Sequence, residues 1–269
     1  MKKTLKKSGS QLAKFFHENT KQHENSIHNK VDAPYDLIPK KKKMKVIEKY
    51  KVNIQKEEND LTKSLNNRKS FEMLNVRIPI PINDVSSLLS LSYSVKDQDD
   101  TGGFIHTVPS AGGRYPIGLY LIAFNIINFK KGIYFWDSES SDLCLLKEGD
   151  FRSLLKECIC DINSFDIEFC SFVIITTAEM EKTLGKYGDR GYRYLCIDAG
   201  HISQNLYLIS SYLGLACRAI GGYYDNKISN LLGLDQNEDA VLLVHIFGKE
   251  YKRTHVQLNL DFNSYFKTL

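Results

Sequence analysis

The hydrophobic and polar positions divide this 269-residue chain into a polar first part and a compact remainder. Residues 1–59 are polar and rich in Lys and Asn. They predict a short helix over 12–21 and an extended arm after it. From residue 60 onwards, apolar residues recur with the spacing of strands and helices. A compact domain is therefore predicted over 60–253, followed by a tail over 254–269.

Apolar runs of strand length are mixed with helical repeats inside the compact domain. The predicted strands are 117–126, 172–178, 215–220 and 240–247, together with a hairpin in which GIYFWD and LCLLKEG meet across an ESSD turn. The predicted helices run from Asp60 or Thr62 as N-cap to Ser70, from Asp84 as N-cap to 95, over 150–161, from Arg190 to Leu213, and around 228–234. A long, polar, Gly-rich loop is predicted over 97–116. This mixture favours an α+β fold over a regular βαβ repeat.

Composition narrows the class of protein. The net charge of +4 is small and concentrated in the first quarter of the chain, so it does not indicate nucleic-acid binding. The basic start, MKKTLKKSGSQLAKFF, lacks the apolar segment of a secretory signal, and no apolar run approaches the roughly 20 residues that cross a bilayer. A soluble, cytoplasmic protein without membrane partners is expected. The six Cys residues show no metal-ligand spacing, so reduced thiols and no metal site are predicted.

Three segments carry groups that suit a flat or anionic ligand. In NNRKSF (66–71), the guanidinium of Arg68 and the hydroxyl of Ser70 are good phosphate partners. In PSAGGRYP (109–116), small residues let backbone N–H groups approach a ligand. In AIGGYYD (219–225), two glycines at a strand end suggest a close backbone approach. Taken singly, each segment is more typical of a helix end or a turn.

A pair of bulky ionisable residues, Lys186 and Tyr187, lies in the segment EKTLGKYGDRGYRYLCIDAGH (181–201). The glycines around the pair predict a link between two core elements, and links often hold catalytic groups. A Lys in an apolar site can serve as a base, and Tyr can donate or accept a proton. The alternative is Lys186 in solvent with Tyr187 packed on the sheet.

The order of these motifs resembles the SagB-type dehydrogenases, flavoenzymes of the nitroreductase superfamily. The resemblance rests on RKS, PSAGGRYP, KYGDRGYRYLCIDAGHISQNL and AIGG, and it spans about 60–248. FHENTK (16–21) adds weaker support. Ion pairs are expected at the start of the long helix, between Arg190 or Arg193 and Asp189 or Asp198.

The resemblance implies the FMN-binding nitroreductase fold, with a central, mainly antiparallel sheet flanked by helices. It also implies a homodimer with FMN at the subunit interface, and it assigns Lys186 and Tyr187 to proton removal. The residues that it places around FMN are Arg68, Lys69, Ser70, Pro109, Ser110, Ala111, Gly112, Gly113, Gln204, Ile220, Gly221 and Gly222. Lys249 or Arg253 is a candidate for a second phosphate cation, although the tail KEYKRTH matches no family motif.

The implied reaction is the oxidation of thiazoline or oxazoline rings to thiazole or oxazole in a ribosomally synthesised peptide, with a cyclodehydratase complex as partner. Three alternatives stay open. One is a SagB-type flavin oxidase that acts on another natural-product intermediate. Another is an NAD(P)H-dependent nitro or quinone reductase, although a simple reductase needs no base at the position of Lys186 and Tyr187. The third is a flavin-free scaffold subunit of a peptide-modifying complex.

Overall fold

The computed structural model describes residues 11–22, 47–50, 58–71, 73–98, 100, 102–160 and 165–251. The helix predicted over 12–21 forms as Gln11–Thr20. Most of the predicted arm, Arg253 and the whole predicted tail lie outside the described residues. Among the helices described, none is both long enough and apolar enough to span a membrane.

The described elements mix helices with antiparallel strands. The strands are β1 Leu74–Asn75, β2 Val95–Gln98, β3 Phe104–His106, β4 Ile117–Ala123, β5 Gly132–Asp137, β6 Asp142–Glu148, β7 Phe172–Glu179, β8 Ala216–Ile220 and β9 Asp239–Glu250. The α-helices are α1 Gln11–Thr20, α2 Asp60–Asn67, α3 Ile82–Ser92, α4 Arg152–Glu157, α5 Met180–Tyr187, α6 Gly191–Tyr212 and α7 Asp225–Leu232. Single 3₁₀ turns form at Ala111–Gly113, Phe165–Glu168 and Gly188–Arg190.

One sheet organises the molecule, with the strand order β6–β5–β4–β7–β9 and with β8 and β1 also paired to β9. Each of these pairings is antiparallel. β7 lies at the centre and is buried on both faces, since Phe172 and Ile174 pack into one core layer and Val173 and Ile175 into the other. This two-sided burial explains the continuous apolar run in the sequence. The predicted α+β fold with a mainly antiparallel sheet is confirmed.

Helices cover both faces of the sheet. On one face, α3 and the long helix α6 share a core with the central strands, and α6 contributes Leu195, Ile202 and Leu206 to it. On the other face, Leu155 of α4 and Ile228 of α7 pack against the sheet. Burial of one apolar stripe per helix is the main source of their stability. α6 also contacts the segments that form the candidate site described below.

Two predicted helix starts are wrong in detail. The N-cap of α2 is Asn59, whose side chain accepts a hydrogen bond from the Thr62 N–H at 2.9 Å. Thr62 Oγ1 accepts one in return from the Asn59 N–H at 2.9 Å, so Thr62 and Asp60 lie inside the helix as parts of a capping box. α3 follows Pro81, and Asp84 lies in its first turn without capping it. A carboxylate there still favours the helix, because it faces the positive end of the helix dipole.

The predicted loop over 97–116 is only partly irregular. Its first half contains β3, which pairs with β2 through the contacts of Val95 with His106 and of Gln98 with Phe104. The polar, Gly-rich sequence hides this short hairpin from a periodicity argument. The second half, from 107 to 116, has no regular structure apart from the turn Ala111–Gly113.

Candidate functional site

Lys186 and Tyr187 form the last turn of helix α5, so the link predicted between two core elements is present and is helical at this point. α5 has only eight residues and contains Gly185, a poor helix former, which explains the weak helical signal. The helix ends at Gly188, whose φ of 58° suits glycine. The pair therefore sits between the central strand β7 and the start of α6.

The turn Ala111–Gly113 lies directly against this pair. Gly112 has a φ of +61°, and a Cβ built on it would lie 2.2 Å from the Tyr187 hydroxyl oxygen and 2.7 Å from Lys186 Nζ. No side chain larger than a hydrogen fits there without moving both groups. The structure thus brings Gly112, Lys186 and Tyr187 together, although they are far apart in sequence.

The pair has its own local support. Lys186 Nζ lies 5.3 Å from the centre of the Tyr187 ring, within cation–π range. The Tyr187 ring packs edge-on against Tyr194 of α6, with the ring centres 5.0 Å apart. Arg190 Nε donates to the Tyr194 hydroxyl at 3.0 Å. Lys186 is exposed and Tyr187 half-buried in the single chain, so both remain open to a ligand or a second subunit.

Asp198 of α6 anchors the neighbouring segment. Ser110 Oγ donates to Asp198 Oδ2 at 2.6 Å, and the Tyr115 N–H donates to Ser110 Oγ at 3.0 Å. Asp198 is almost fully buried. Burial raises the pKa of the Asp198 carboxyl, while the hydrogen bonds from Ser110 and from the Ala111 N–H act in the opposite direction. The buried Asp198 carboxyl thus binds the residue that precedes the Ala111–Gly113 turn.

The ion pairs expected at the start of the long helix are replaced by other contacts in the described part of the chain. Asp198 binds Ser110, and Asp189 Oδ1 accepts a hydrogen bond from the Ala13 N–H of α1 at 2.7 Å. Arg190 contacts Tyr194. The prediction paired residues that are close in sequence, whereas in the structure Asp189 and Asp198 bind partners from distant segments of the chain.

Stacked rings support the end of the turn. Tyr115 has a φ of +44°, which is uncommon for a bulky residue. Its ring stacks on His106, with 3.8 Å between ring centres, and His106 stacks in turn on Tyr93 at 5.1 Å. Burial lowers the pKa of His106, which favours the neutral ring in this stack.

A second group of candidate residues follows helix α2, which ends at Asn67, earlier than predicted. Ser70 Oγ and the Tyr207 hydroxyl are hydrogen-bonded at 3.1 Å, and the Ala219 N–H donates to the same hydroxyl at 2.8 Å. The Arg68 guanidinium lies 5.6 Å from the centre of the Tyr207 ring. Tyr207 therefore ties the segment after α2 to the edge strand β8.

A groove of about 950 Å³ opens beside this group. Arg68, Lys69 and Lys249 all line it. Lys69 pairs with Glu250 at 2.8 Å, and Lys249 Nζ donates to the Gly214 carbonyl at 3.1 Å. Three cations against one carboxylate make this groove suitable for an anionic group such as a phosphate.

The other sequence candidates contribute mainly backbone or exposed groups. Gln204 is exposed and shares the α6 face of Tyr207. The Ile220 side chain is buried in the core, so only its backbone is available to a ligand. Gly221 is exposed with open space where a Cβ would be, and the Gly222 carbonyl accepts a hydrogen bond from the Cys160 N–H at 3.0 Å. Pro109 is exposed next to Ser110 and Ala111.

The single chain does not bring all these residues to one point. Asp198, under the turn, and Tyr207, beside the groove, are nine residues apart on α6, which corresponds to roughly 14 Å along the helix axis. The turn with Lys186 and Tyr187 thus lies towards one end of α6, and the cationic groove lies towards the other. No group of three or more His, Cys, Asp or Glu side chains placed to hold a metal ion occurs among the residues described.

Sequence reasoning missed the roles of Asp198 and Tyr207. A signal for Asp198 existed, because the residue lies on the apolar stripe of α6 between Leu195 and Ile202, at helical spacing. An acid on a buried stripe needs a partner. Tyr207 had no such signal, since a Tyr on a packed helix face is ordinary.

Comparisons with known proteins agree with this fold. The nitroreductase family profile matches residues 77–249. A protein of Methanocaldococcus jannaschii that carries the name nitroreductase is 31% identical over 158 residues, which is 59% of this chain and 77% of that protein. The microcin B17-processing protein McbC of Escherichia coli is 29% identical over 176 residues, covering 63% of this chain and 62% of McbC. The trifolitoxin-processing protein TfxB of Rhizobium leguminosarum bv. trifolii is 26% identical over 182 residues, covering 63% of this chain and 48% of TfxB.

The solved structures show the same architecture. A chain from the E. coli microcin synthetase McbBCD complex with truncated pro-MccB17 bound superposes with a TM-score of 0.71 and 24% identity, covering 90% of this chain and 92% of that one. This match supports the fold, and the sequence alignments span less than two thirds of McbC and about half of TfxB. The family profile covers well over half of the chain and the folds agree, as the motifs predicted. The chain belongs to the nitroreductase family.

Proposed function

We propose that this protein is an FMN-dependent oxidoreductase that oxidises thiazoline or oxazoline rings in a ribosomally synthesised peptide. The observation that carries the proposal is the contact of Lys186 and Tyr187 with the backbone turn at Gly112. It places two proton-handling side chains beside a surface without side chains. The names of McbC and TfxB as peptide-processing proteins support the class of substrate.

The residues present fit FMN. Arg68, Lys69 and Lys249 line one groove and would hold the phosphate. At Gly112 the Cβ position is filled by the ends of Lys186 and Tyr187, whereas a Cβ on the next residue, Gly113, would meet nothing within 4 Å, so the turn would present open backbone to a planar ring beside the pair. Bound FMN would supply the hydride acceptor, with oxygen as the oxidant that regenerates it.

Lys186 and Tyr187 would handle the proton. An azoline ring becomes an azole when one ring carbon loses a proton and its neighbour loses a hydride. The proton goes to the side-chain pair, and the two electrons leave with the hydride. Lys186 would act as the base, and the Tyr187 hydroxyl, which lies beside the same Gly112 position, would donate or accept a proton there.

A homodimer is part of this proposal. Asp198, under the Gly112 turn, and Tyr207, beside the cationic groove, are roughly 14 Å apart along α6, so a flavin that spans both places would lie along one side of the chain, where a second subunit would cover it. Apolar side chains that are half or more exposed line the outer side of the adjacent helices α2 and α6, namely Leu61, Leu65, Ile197 and Tyr212. Exposed apolar groups on neighbouring helices are typical of a protein interface. We further propose assembly with a cyclodehydratase, which the likeness to a chain of the McbBCD complex supports.

The decisive experiment is the visible absorption spectrum of the purified protein, with the flavin identified after denaturation. Bound FMN, followed by loss of hydrogen from an azoline peptide, is the expected result. A colourless protein that does not take up added FMN would overturn the proposal and favour the flavin-free scaffold. A flavoprotein that reduces nitroaromatics with NAD(P)H but leaves azolines unchanged would favour the reductase.

Arg68→Ala is expected to raise the Kd for FMN roughly ten- to hundred-fold. A hydrogen bond to a charged group contributes about 1.5–3 kcal/mol, and 1.4 kcal/mol corresponds to a factor of ten. Fluorescence titration of the apoprotein measures the change, with Lys63→Ala on α2 as the control outside the groove. Riboflavin, which lacks the phosphate, should bind the variant and the wild type equally. An equal loss for both flavins would contradict a phosphate contact at Arg68.

Gly200→Leu is expected to dissociate the dimer and to release flavin with it. Gly200 lies inside α6, is exposed, and has no atom within 4 Å of a Cβ built on it. Within one chain Leu fits there and favours the helix more than Gly, so folding should be kept. A second subunit packed on this face would meet the added side chain.

Sedimentation and flavin content measure the effect. Ser153→Leu, which adds the same side chain to an exposed position of α4 on the other face of the sheet, is the control. A Gly200→Leu protein that stays dimeric with normal FMN would exclude this face of α6 from the interface.

A further inference from the structure

We propose that Asp198 is the positioning residue that fixes the 110–113 turn against Lys186 and Tyr187. Its catalytic consequence rests on the proposed function, whereas its structural part concerns the chain with or without FMN. The sequence predicts only an ion pair with Arg190 or Arg193 for this residue, and the structure gives it a different partner, Ser110.

Asp198 is a buried acid that needs a partner. The residue is only 3% exposed, and Asp is almost never fully buried without partners. Ser110 Oγ donates to Oδ2 at 2.6 Å, and the Ala111 N–H of the same short segment also lowers the pKa of the carboxyl, as does His201 on α6. A hydroxyl–carboxylate bond of this length is charge-assisted and about twice as strong as a neutral one. Asp198 therefore holds the start of the turn to α6.

The hydroxyl and the carbonyl of Ser110 make their hydrogen bonds within this part of the molecule. Its hydroxyl has one hydrogen, which is donated to Asp198. The same oxygen accepts from the Tyr115 N–H at 3.0 Å, and the Ser110 carbonyl accepts from the Gly113 N–H at 3.1 Å. Ser110 is thus the frame of the turn and has no hydrogen left to donate to a ligand. What the turn offers outward is backbone.

The turn held by Ser110 lies directly against Lys186 and Tyr187. Gly112 follows Ser110 by two residues and would clash with Lys186 and Tyr187 if it carried a Cβ. α6, which carries Asp198, begins at Gly191, directly after the 3₁₀ turn that follows Tyr187. The same helix, α6, therefore binds the turn through Asp198 and follows Lys186 and Tyr187 in the chain. It connects the two parts that meet at Gly112. Without the Asp198 bonds the turn is free to move away from the pair.

The first measurement is hydrogen exchange of the backbone amides over 109–116. In Asp198→Asn the side-chain oxygen still accepts one bond, but its NH₂ group faces a donor instead of accepting from it. Exchange of this segment should rise about ten-fold or more, while the amides of β7 stay protected. Ser110→Ala removes the same bond together with the one that Ser110 Oγ accepts from the Tyr115 N–H, so the amides other than Tyr115 are compared; it is the second variant if Asp198→Asn fails to fold. Ser110→Thr keeps the hydroxyl and should restore protection.

The second measurement reports the pair directly. Lys186 should react faster with an amine-acylating reagent in both variants, relative to Lys182 one turn earlier on α5 in the same sample. In the FMN-loaded enzyme, kcat for azoline oxidation should fall while flavin content and the KM for the peptide stay near wild type. The effect of the double variant Asp198→Asn with Ser110→Ala should be smaller than the two single effects combined, since both variants remove the shared Ser110–Asp198 bond. Ser92→Ala, a buried Ser of α3, and Asp142→Asn, an exposed Asp of β6, are the matched controls.

Each result decides the matter. Unchanged exchange over 109–116 in a folded Asp198→Asn protein would overturn the proposal. Faster exchange with unchanged Lys186 reactivity would overturn the link to the pair. A protein without FMN would remove the proposed function, yet the exchange and acylation data would still decide the role of Asp198.

Discussion

Lys186→Ala and Tyr187→Phe are each expected to lower the turnover of azoline oxidation, by roughly 10²–10⁴-fold for a lost general base, while FMN remains bound. The two side chains lie within reach of one another and of Gly112, so they act at one point. The cations proposed to hold the phosphate lie elsewhere, in the groove lined by Arg68 and Lys249. Removing the pair therefore leaves the anchor of the cofactor intact. The rate of azole formation by mass spectrometry and the flavin absorbance together measure the two effects.

Lys182→Ala is the matched control for the lysine. Lys182 is exposed, lies one turn earlier on α5, and pairs with Glu179 at 3.2 Å. Its loss removes the same charge from the same helix but no group next to Gly112, so turnover should stay near wild type. Normal azoline oxidation by a double Lys186→Ala, Tyr187→Ala protein with normal flavin content would refute the assigned role. Retention of NAD(P)H-driven reduction in that variant would point to hydride transfer without a protein base.

The central elements of the fold could be predicted from periodicity alone. β4, β7, β9 and α6 are long and buried, so their apolar runs carry a strong signal. Helix α5 was missed because eight residues with an internal glycine give little periodicity. The β2–β3 hairpin was missed because polar strands do not alternate against a core.

For the candidate site, too, the sequence predicted the local segments but not the contacts between them. Motif order identified the segments, including the glycines and the Lys186–Tyr187 pair. It did not show that Gly112 touches that pair, because the contact joins two distant parts of the chain. Nor did it show that Asp198 binds Ser110, since helix neighbours such as Arg190 offered an easier explanation. Tertiary packing alone selects among such partners.

Gly112→Ala is expected to lower kcat per bound FMN by about 10²-fold, with a loss of about 1–2 kcal/mol in free energy of unfolding. The new Cβ would lie 2.2 Å from the Tyr187 hydroxyl oxygen and 2.7 Å from Lys186 Nζ, where ordinary contact needs 3.4–4 Å. Both clashing atoms are the ends of flexible side chains, so these side chains move and the backbone does not. A displacement of about 1 Å at a reacting group can reduce the rate 10²-fold. Steady-state kinetics normalised to flavin content give the comparison.

Alanine variants at two other glycines distinguish the effect of this clash from the effect of backbone strain. Gly113 and Gly102 have φ values of +63° and +79°, close to the +61° of Gly112, but a Cβ on either meets nothing within 4 Å. Alanine at any of the three should cost a similar 1–2 kcal/mol in free energy of unfolding, because each adopts the left-handed region. Only Gly112→Ala should displace Lys186 and Tyr187, so Gly102→Ala should keep full activity and Gly113→Ala should lose less than tenfold per bound FMN. Equal losses of kcat in the Gly112 and Gly113 variants would mean that strain in the turn, and not its contact with the pair, controls the reaction.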